Sequence, residues 1–520
     1  MRPIDYFDTA VDSYGERPAL VDGSVSLSYR QVQQATRPLA AAIRAVLGGH
    51  AAAPIAILSP NDYRVVLGTL AAMRAGAVVA PLHIRNAPSK NLGYLDAIRP
   101  AVLFYHSQVA RDVELIRRQT TAIGRYVCLD RFTTMDESLE EFAATGSEEP
   151  EDWGDVSGNY EHPVYLRQTS GTTGSPKMII GDVGSFVATH LIVRERLRHI
   201  ECDPVCLVAA PLSHAAGVHA FCMLTLGARL VLMPEFNALE TLQSIERNRV
   251  THLWLPASGL YLLMKALDAV DVDLSSLRSV VLGASGVAAD KLRDAVRRLG
   301  PCISINYSQI ESGFLTWLDE RTIAKAVAGE HPERLASSGT SLYVSRIGIM
   351  NEQGALLGAG HTGEIVVRGR SVKPYVRRPF EYDQAEIEQS RQYGWHHTGD
   401  MGYFDEHGYL YVVGRKKDVI NVGGFKVSAD EVEHVILEIP DVVECAVVAV
   451  RDPVRGEAVK AVITVRPGRS VANSAIISHC RAKLGNSHCP SSIEQWTELP
   501  RTGVGKIDKL RIRELAQATP

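Results

Sequence analysis

Short apolar runs alternate with longer segments of helical period along most of this chain, and that alternation restricts the fold more than any other feature. PIAILS from Pro54, AVLFYH from Ala101, and, after Glu201, CLVAAPLSH, ARLVLMP, VTHLWLPA and SVVLGAS are dominated by apolar residues. Such runs suit strands covered on both faces. Between them lie RQVQQATRPLAAAIRAVL from Arg30, VVLGTLAAMRAGAV from Val65 and LETLQSIERNR, whose apolar residues recur at helical spacing. Strands and helices in this rhythm predict an α/β fold: a large N-terminal domain of stacked, mostly parallel layers. From Thr340 the texture changes to turn-rich alternating strands such as GEIVVRGR and GYLYVVGR, which predict a β-rich subdomain. A last texture begins near Arg415, with the amphipathic VSADEVEHVILEI followed by ECAVVAVRD and KAVITVRPG. It predicts a small α+β C-terminal domain of about 100 residues. Glu137–Asp155, acidic and poor in large apolar residues, reads as an exposed connection.

Charge and composition narrow the partners. The 520 residues hold 55 Lys and Arg against 59 Asp and Glu, a net charge of −4, with 46% hydrophobic residues. That balance leaves no basic footprint for nucleic acid and no polybasic patch for a membrane surface. Small molecules are the expected partners. No run of 18 apolar residues occurs, and the first ten residues include acidic ones and no apolar core, so neither a spanning helix nor a signal peptide is expected. A cytoplasmic location follows as the expectation. The eight cysteines form no CxxC pair and mostly sit in apolar runs, which fits reduced, buried thiols. His479–Cys480 and His488–Cys489 resemble halves of a metal site, without the nearby partners that would close one.

The stretch with the most chemistry is YLRQTSGTTGSPKMII, Tyr165 to Ile180. An apolar strand feeds into Thr169, Ser170, Gly171, Thr172, Thr173, Gly174, Ser175, Pro176 and Lys177. Glycines let backbone approach a polyanion, hydroxyls donate hydrogen bonds, and the lysine supplies charge. It is not a P-loop, which needs glycine directly before the lysine, where Pro176 stands here.

TSGTTGSPK resembles the signature loop of the adenylate-forming superfamily: acyl-CoA synthetases, peptide-synthetase adenylation domains and firefly-type luciferases. Further motifs occur in that family's order. They are AAMRAGAVVAPL (Ala71–Leu82), PLSHAAG (Pro211–Gly217), the GAS turn (Gly283–Ser285) and NYSQIE (Asn306–Glu311). GEIVVRG (Gly363–Gly369), GWHHTGD (Gly394–Asp400), GRKKDVINVGG (Gly414–Gly424) and LPRTGVGK (Leu499–Lys506) complete the set. The resemblance implies an AMP-binding N-terminal domain over 1–414 and a mobile C-terminal domain over 415–520. It implies ATP, Mg²⁺ and coenzyme A. A carboxylate attacks the α-phosphate to give acyl-AMP and pyrophosphate; the small domain then rotates, and a thiol displaces AMP.

Roles carry over residue by residue. Thr169, Ser170, Gly171, Thr172, Thr173, Gly174 and Lys177 match the phosphate loop, and Glu311 the magnesium ligand. Tyr307, between Asn306 and Ser308, matches the adenine-stacking aromatic, with Gly283, Ala284 and Ser285 lining the other side of the base. Asp400 matches the acceptor of both ribose hydroxyls and Arg415 a ribose donor. Lys506 matches the lysine that bridges carboxylate and α-phosphate, and Lys417 the hinge. Gly423 and Gly424 lie where the pantetheine arm passes. His214 matches a gating position beside the acid, where a core histidine is the competing reading.

One departure bears on the chemistry. The family's fifth motif ends Tyr-Gly-x-Thr-Glu, whereas here it is Tyr307-Ser308-Gln309-Ile310-Glu311. The threonine hydroxyl donates to the α-phosphate, and Ile310 cannot. A hydrogen bond to a charged group is worth about 1.5–3 kcal/mol. Either another donor compensates, for instance Ser308, or adenylation is weak and the chain converts supplied acyl-AMP to thioester. Matched pocket residues are His214, Ala215, Val218, Gly286, Ser308, Gln309, Gly313 and Phe314, several of them small, leaving room for a bulky ring or an extended chain. The PLSHAAG segment lacks the acid that holds an α-ammonium, which disfavours amino acids. Only 14 residues follow Lys506 (520 − 506), so no carrier domain is expected there and coenzyme A is favoured over a carrier protein. A homodimer is a candidate assembly, and a non-catalytic nucleotide-binding relative is the alternative from another class.

Overall fold

The computed structural model describes residues 2–48, 54–130, 136–146, 160–168, 177–197, 203–283, 286–422, 425–452, 455–502 and 506–518. The chain forms two compact units: 1–282 with 308–315 and 369–390, and 283–307 with 316–368 and 391–520.

In the first unit, strand Pro54–Leu58 is buried at all five positions and pairs in parallel with Val78–Pro81 and Val102–Tyr105. Parallel pairing continues through Arg125–Cys128 to Glu137–Ser138 on one side and to Pro163–Gln168 on the other. Beyond Pro163–Gln168 the sheet turns antiparallel, through Met178–Asp182, Tyr375–Arg378 and Glu381–Tyr382. A second group of strands holds His252–Pro256, Val205–Val208, Arg229–Leu232 and Pro18–Asp22 in parallel order, with Val25–Ser28 antiparallel at its edge. The expected parallel layers are therefore present, with antiparallel margins.

Local sequence explains the helix limits. Ser28 and Gln31 form a reciprocal capping box at the start of helix Tyr29–Leu47, and Gly48, at φ 57°, ends it in the left-handed region. The run from Val65, which reads as one helical segment, is divided: helix Tyr63–Arg74 stops, and Val78–Pro81 is a strand. Gly76, at φ 73°, makes the turn between them. The expected exposed connection at Glu137–Asp155 is corrected over its described part. Ser138 and Glu141 cap helix Leu139–Ala144, and Phe142 is fully buried, edge-on to Phe104 at 5.5 Å. The acidic residues there serve a helix N-terminus, where negative charge is favoured.

The second unit contains the β-rich subdomain: Ser345–Met350, Gly363–Gly369, Trp395–Phe404 and Arg391–Gln392 in that order, with Leu410–Arg415 also paired to Trp395–Phe404. It also contains the α+β module. Strands Phe425–Ser428, Val419–Val422, Gly456–Val465 and Val442–Asp452 form a sheet in that order, and Ser492–Gln495 pairs in parallel with Gly456–Val465. Helices Ala429–Leu437 and Asn473–Leu484 cover it through Val432, Ile436 and Ile476, packed with Ile420, Val447 and Ile463.

Candidate active site

The second unit builds its site on one antiparallel pair of strands. Asp400 and Arg415 are direct partners in the register of Trp395–Phe404 with Leu410–Arg415. Arg415 Nε lies 2.6 Å from Asp400 Oδ1, and the Tyr307 hydroxyl donates to Oδ2 at 2.6 Å. Asp400 is 4% exposed, and the Thr398 hydroxyl accepts from its peptide N–H at 3.1 Å. Two of a carboxylate's roughly four acceptor positions are thereby used on side chains that also fix its plane. Burial raises the Tyr307 phenol far above its usual range, and the neighbouring Asp400 charge pushes it the same way. Tyr307 is thus a neutral donor with its ring against Ile349, Ile365 and Leu410.

Behind this group lies Glu364, absent from the sequence-derived set. Its carboxylate is met by His397 Nδ1 at 3.0 Å, Lys416 Nζ at 2.9 Å and the Gly399 peptide N–H at 3.2 Å. Burial pushes its acidity down, and the hydrogen bonds from His397 and Lys416 outweigh that, so its pKa falls below the usual value. The carboxylate ties the GWHHTGD turn to the segment that carries Arg415. A glutamate alternating with apolar residues in GEIVVRG is the signal that marks it.

Lys417 is solvent-exposed beside these groups, and partial desolvation lowers its pKa, opposed by Asp418. Asn306 is buried, Gly283 ends strand Ser279–Gly283, and Gly286 faces His434, whose Nε2 lies 3.2 Å from where a Cβ would stand. Lys506 is exposed on a loop closed at its base. Arg501 bridges Ile507, the Thr502 N–H donates to Lys506 O at 2.8 Å, and the Asp508 N–H donates to Pro500 O at 2.8 Å. Arg501 also pairs with Glu444. Helix Lys509–Ala518 follows, and Lys509 sits between Asp430 at 2.7 Å and Glu433 at 2.8 Å.

The first unit carries a second group. Lys177, leaving the phosphate loop, pairs with Glu386 at 2.5 Å and lies over the Tyr375 ring at 5.9 Å. His214 caps helix Ala215–Thr225, its Nδ1 2.8 Å from the Ser213 hydroxyl and its ring edge-on to His83 at 5.0 Å. Ala215 and Val218 lie in that helix's first turn. The buried Asn61 amide holds the preceding loop, donating to Val208, Ala210 and Met233 carbonyls and accepting the Leu212 N–H at 2.8 Å. Gly217 is required there, because a Cβ would stand 1.9 Å from Leu212 O.

Ser308 and Gln309 end strand Ile303–Gln309, and Gly313 and Phe314 begin Gly313–Leu318. Between them, Ile310 and Glu311 occupy a turn, both partly exposed. The Glu311 carboxylate has no ion pair among the described residues, while its carbonyl accepts the Lys373 N–H at 2.7 Å. No group of three or more His, Cys, Asp or Glu gathers for a metal among the described residues. A carboxylate without an ion pair among the described residues fits Mg²⁺, which keeps waters and takes its remaining ligands from substrate phosphates. Thr169, Ser170, Gly171, Thr172, Thr173, Gly174, Ala284, Ser285, Gly423 and Gly424 lie outside the described residues. Among the described cysteines, all are unbridged thiols and all but Cys489 are buried; His479 pairs with Glu438 at 2.8 Å.

Comparisons with known proteins identify the family. Residues 7–374 match the family model of the AMP-binding enzymes, and 431–506 that of the AMP-binding enzyme C-terminal domain. The chain is 31% identical over 507 residues to a feruloyl-CoA synthase of Amycolatopsis sp, covering 95% of each. It is 33% identical over 358 residues to the medium/long-chain-fatty-acid–CoA ligase FadD8 of Mycobacterium tuberculosis, covering 67% of this chain and 61% of that one. Among solved structures it matches the amide bond synthetase McbA of Marinactinospora thermotolerans with a TM-score of 0.84, at 27% identity and over 99% of both chains. No helix of the described residues is long and apolar enough to cross a membrane. The chain belongs to the AMP-binding enzymes, on the acyl-CoA ligase branch of the adenylate-forming superfamily, and is an acid–thiol ligase that uses ATP and coenzyme A and works through an acyl-AMP.

Proposed function

We propose that this ligase activates a ring-bearing or extended carboxylic acid in two steps, with Asp400 holding the nucleotide's ribose and Lys506 serving the first step. The observation that carries this reading is the buried Asp400 carboxylate, oriented on its two oxygens by Tyr307 and Arg415. An oriented, charged acceptor pair is what two adjacent ribose hydroxyls require. A feruloyl-CoA synthase and a fatty-acid–CoA ligase among the relatives support an aromatic or chain-like acid, as do the small pocket positions Gly286, Ser308 and Gly313.

In the first step, the acid's carboxylate must approach a phosphate of like charge. Lys177, released from Glu386, supplies positive charge to the phosphates together with Thr169, Ser170, Thr172 and Thr173. Glu311 would hold Mg²⁺, which neutralises phosphate charge when bound. Lys506 reaches the carboxylate and α-phosphate from the C-terminal domain, for which we take residues 415–520 with Lys417 as the hinge. In the second step that domain turns, Gly423 and Gly424 admit the pantetheine arm, and the thiol attacks the acyl carbonyl, expelling AMP. His214, held by Ser213, borders the acid. The same reading places the enzyme in the cytoplasm, and a homodimer remains compatible with it.

The test is a panel of acids with ATP and coenzyme A, measured beside ATP–pyrophosphate exchange. Acyl-CoA with matching exchange is expected. Acyl-CoA formed only from supplied acyl-AMP would assign the chain to the second step alone, as the Ile310 departure allows.

A further inference from the structure

A buried ammonium stands next to the proposed acid pocket, and neither step accounts for it. Lys373 is 4% exposed. Its peptide N–H is fixed on the Glu311 carbonyl at 2.7 Å, which places its side chain beside the turn between the two pocket strands. Its Nζ donates to Ser371 O at 3.1 Å and lies 3.5 Å from where a Cβ of Gly313 would stand. Thr189 Oγ1 is 3.9 Å from that same point, and its hydroxyl proton is committed to Ser185 O at 2.9 Å.

The charge balance here is unusual. An ammonium has three donors, and one neutral carbonyl accepts one of them. Among the described residues no carboxylate lies within ion-pair distance of Lys373. The other buried lysine among the described residues, Lys460, is paired with Glu494 at 2.6 Å, and even the partly exposed Lys509 has two carboxylates. Burying a cation without an anion is costly, so such a group is retained where an incoming anion completes it. Gly313 removes the side chain that would otherwise cover the ammonium. An Arg at this place would present a fork; Lys presents a compact point charge suited to a single carboxylate.

We propose that Lys373 is a specificity residue that receives a second carboxylate, remote from the reacting one, so that the preferred substrates are dicarboxylic acids. This rests on the acid-activating reading above. It makes the far end of the acid, rather than its chain or ring alone, the recognised feature. Nothing in the acid pocket as matched from the sequence carried a positive charge, so this preference is not implied by those residues.

The experiment compares medium-chain dicarboxylates with their monomethyl esters, and para-carboxyphenylpropanoate with its carboxamide, in wild type and K373M. Pyrophosphate exchange and acyl-CoA formation are both followed, with ATP saturating. Wild type is expected to prefer the diacid by about tenfold or more in kcat/KM, because an unmet buried polar group penalises the neutral analogue. In K373M that ratio falls toward one, carried by the acid's KM. As a readout independent of turnover, the diacid raises the melting temperature of wild type and not of K373M; K373Q serves where K373M fails to fold. Turnover of both acids without preference in wild type overturns the proposal while leaving the acid-activating reading intact. Turnover of neither overturns the reading itself. A K373M defect confined to the KM of ATP would assign the ammonium to phosphate and also overturn the proposal.

Discussion

Asp400 and Arg415 face each other across one antiparallel pair of strands, with Arg415 Nε 2.6 Å from Asp400 Oδ1. Their contact is set by strand register, so it is made before any nucleotide arrives. D400N removes the charge that Tyr307 and Arg415 orient. Losing a charge-assisted contact costs about 1.5–3 kcal/mol, so adenylation should fall roughly ten- to a hundredfold. Pyrophosphate exchange at varied ATP measures it, and an unchanged ATP dependence would refute the ribose role.

Glu386 holds Lys177 at 2.5 Å and, in the proposed mechanism, competes with phosphate for its charge. The pair is only partly exposed, and such a contact is worth about 1 kcal/mol. E386Q should lower the KM for ATP by a factor of about five at low salt, and less at high salt, where screening already weakens the pair. A higher KM would mean that Glu386 positions Lys177 instead of restraining it.

I310T should return a hydroxyl to the turn that carries Glu311. If no other donor compensates, adenylation rises by about one to two powers of ten, while thioester formation from supplied acyl-AMP stays level. If Ser308 compensates, the substitution leaves exchange unchanged and S308A lowers it.

Lys509 ties the Lys506 loop to helix Ala429–Leu437 through Asp430 and Glu433. K509M should lower pyrophosphate exchange by about tenfold or more yet spare the acyl-AMP half-reaction, because in the proposed mechanism only the first step uses Lys506. K509R, which keeps the charge, should recover most of the loss. Equal damage to both half-reactions would mark Lys509 as a purely structural support.

Burial pushes Glu433 up to about 7, against an ordinary value of 4.5. The folded state therefore holds a proton that the unfolded state has released between those values. Stability from this group must fall as pH rises from about 4.5 to 7. Lys509 does not oppose this, since its shift is upward and above that window. Urea unfolding at pH 5 and pH 8 should show E433Q losing less stability across the interval than wild type.

The layers and the family were legible because strand burial and motif spacing are local properties. Pro54–Leu58 reads as a buried strand from its composition, and Asp400 as a candidate site residue from the motif that holds it. Lys373 was not legible, and Glu364 only as a carboxylate set among apolar residues in GEIVVRG. The isolation of the one and the triple contact of the other arise only when distant segments meet. The acidic stretch at Glu137 misled for the opposite reason. Its charges suggested solvent, whereas Ser138 and Glu141 spend them on a helix start that buries Phe142.

The closed base of the Lys506 loop has a consequence for engineering. The lysine's mounting, from Glu444 and Arg501 through Asp508 to the Lys509 clamp, is contained within the C-terminal segment itself. A graft that moves this whole segment between related ligases carries the arm and its fixings together. Grafts cut between Glu444 and Lys509 separate them, and should yield proteins that fold but activate acids poorly.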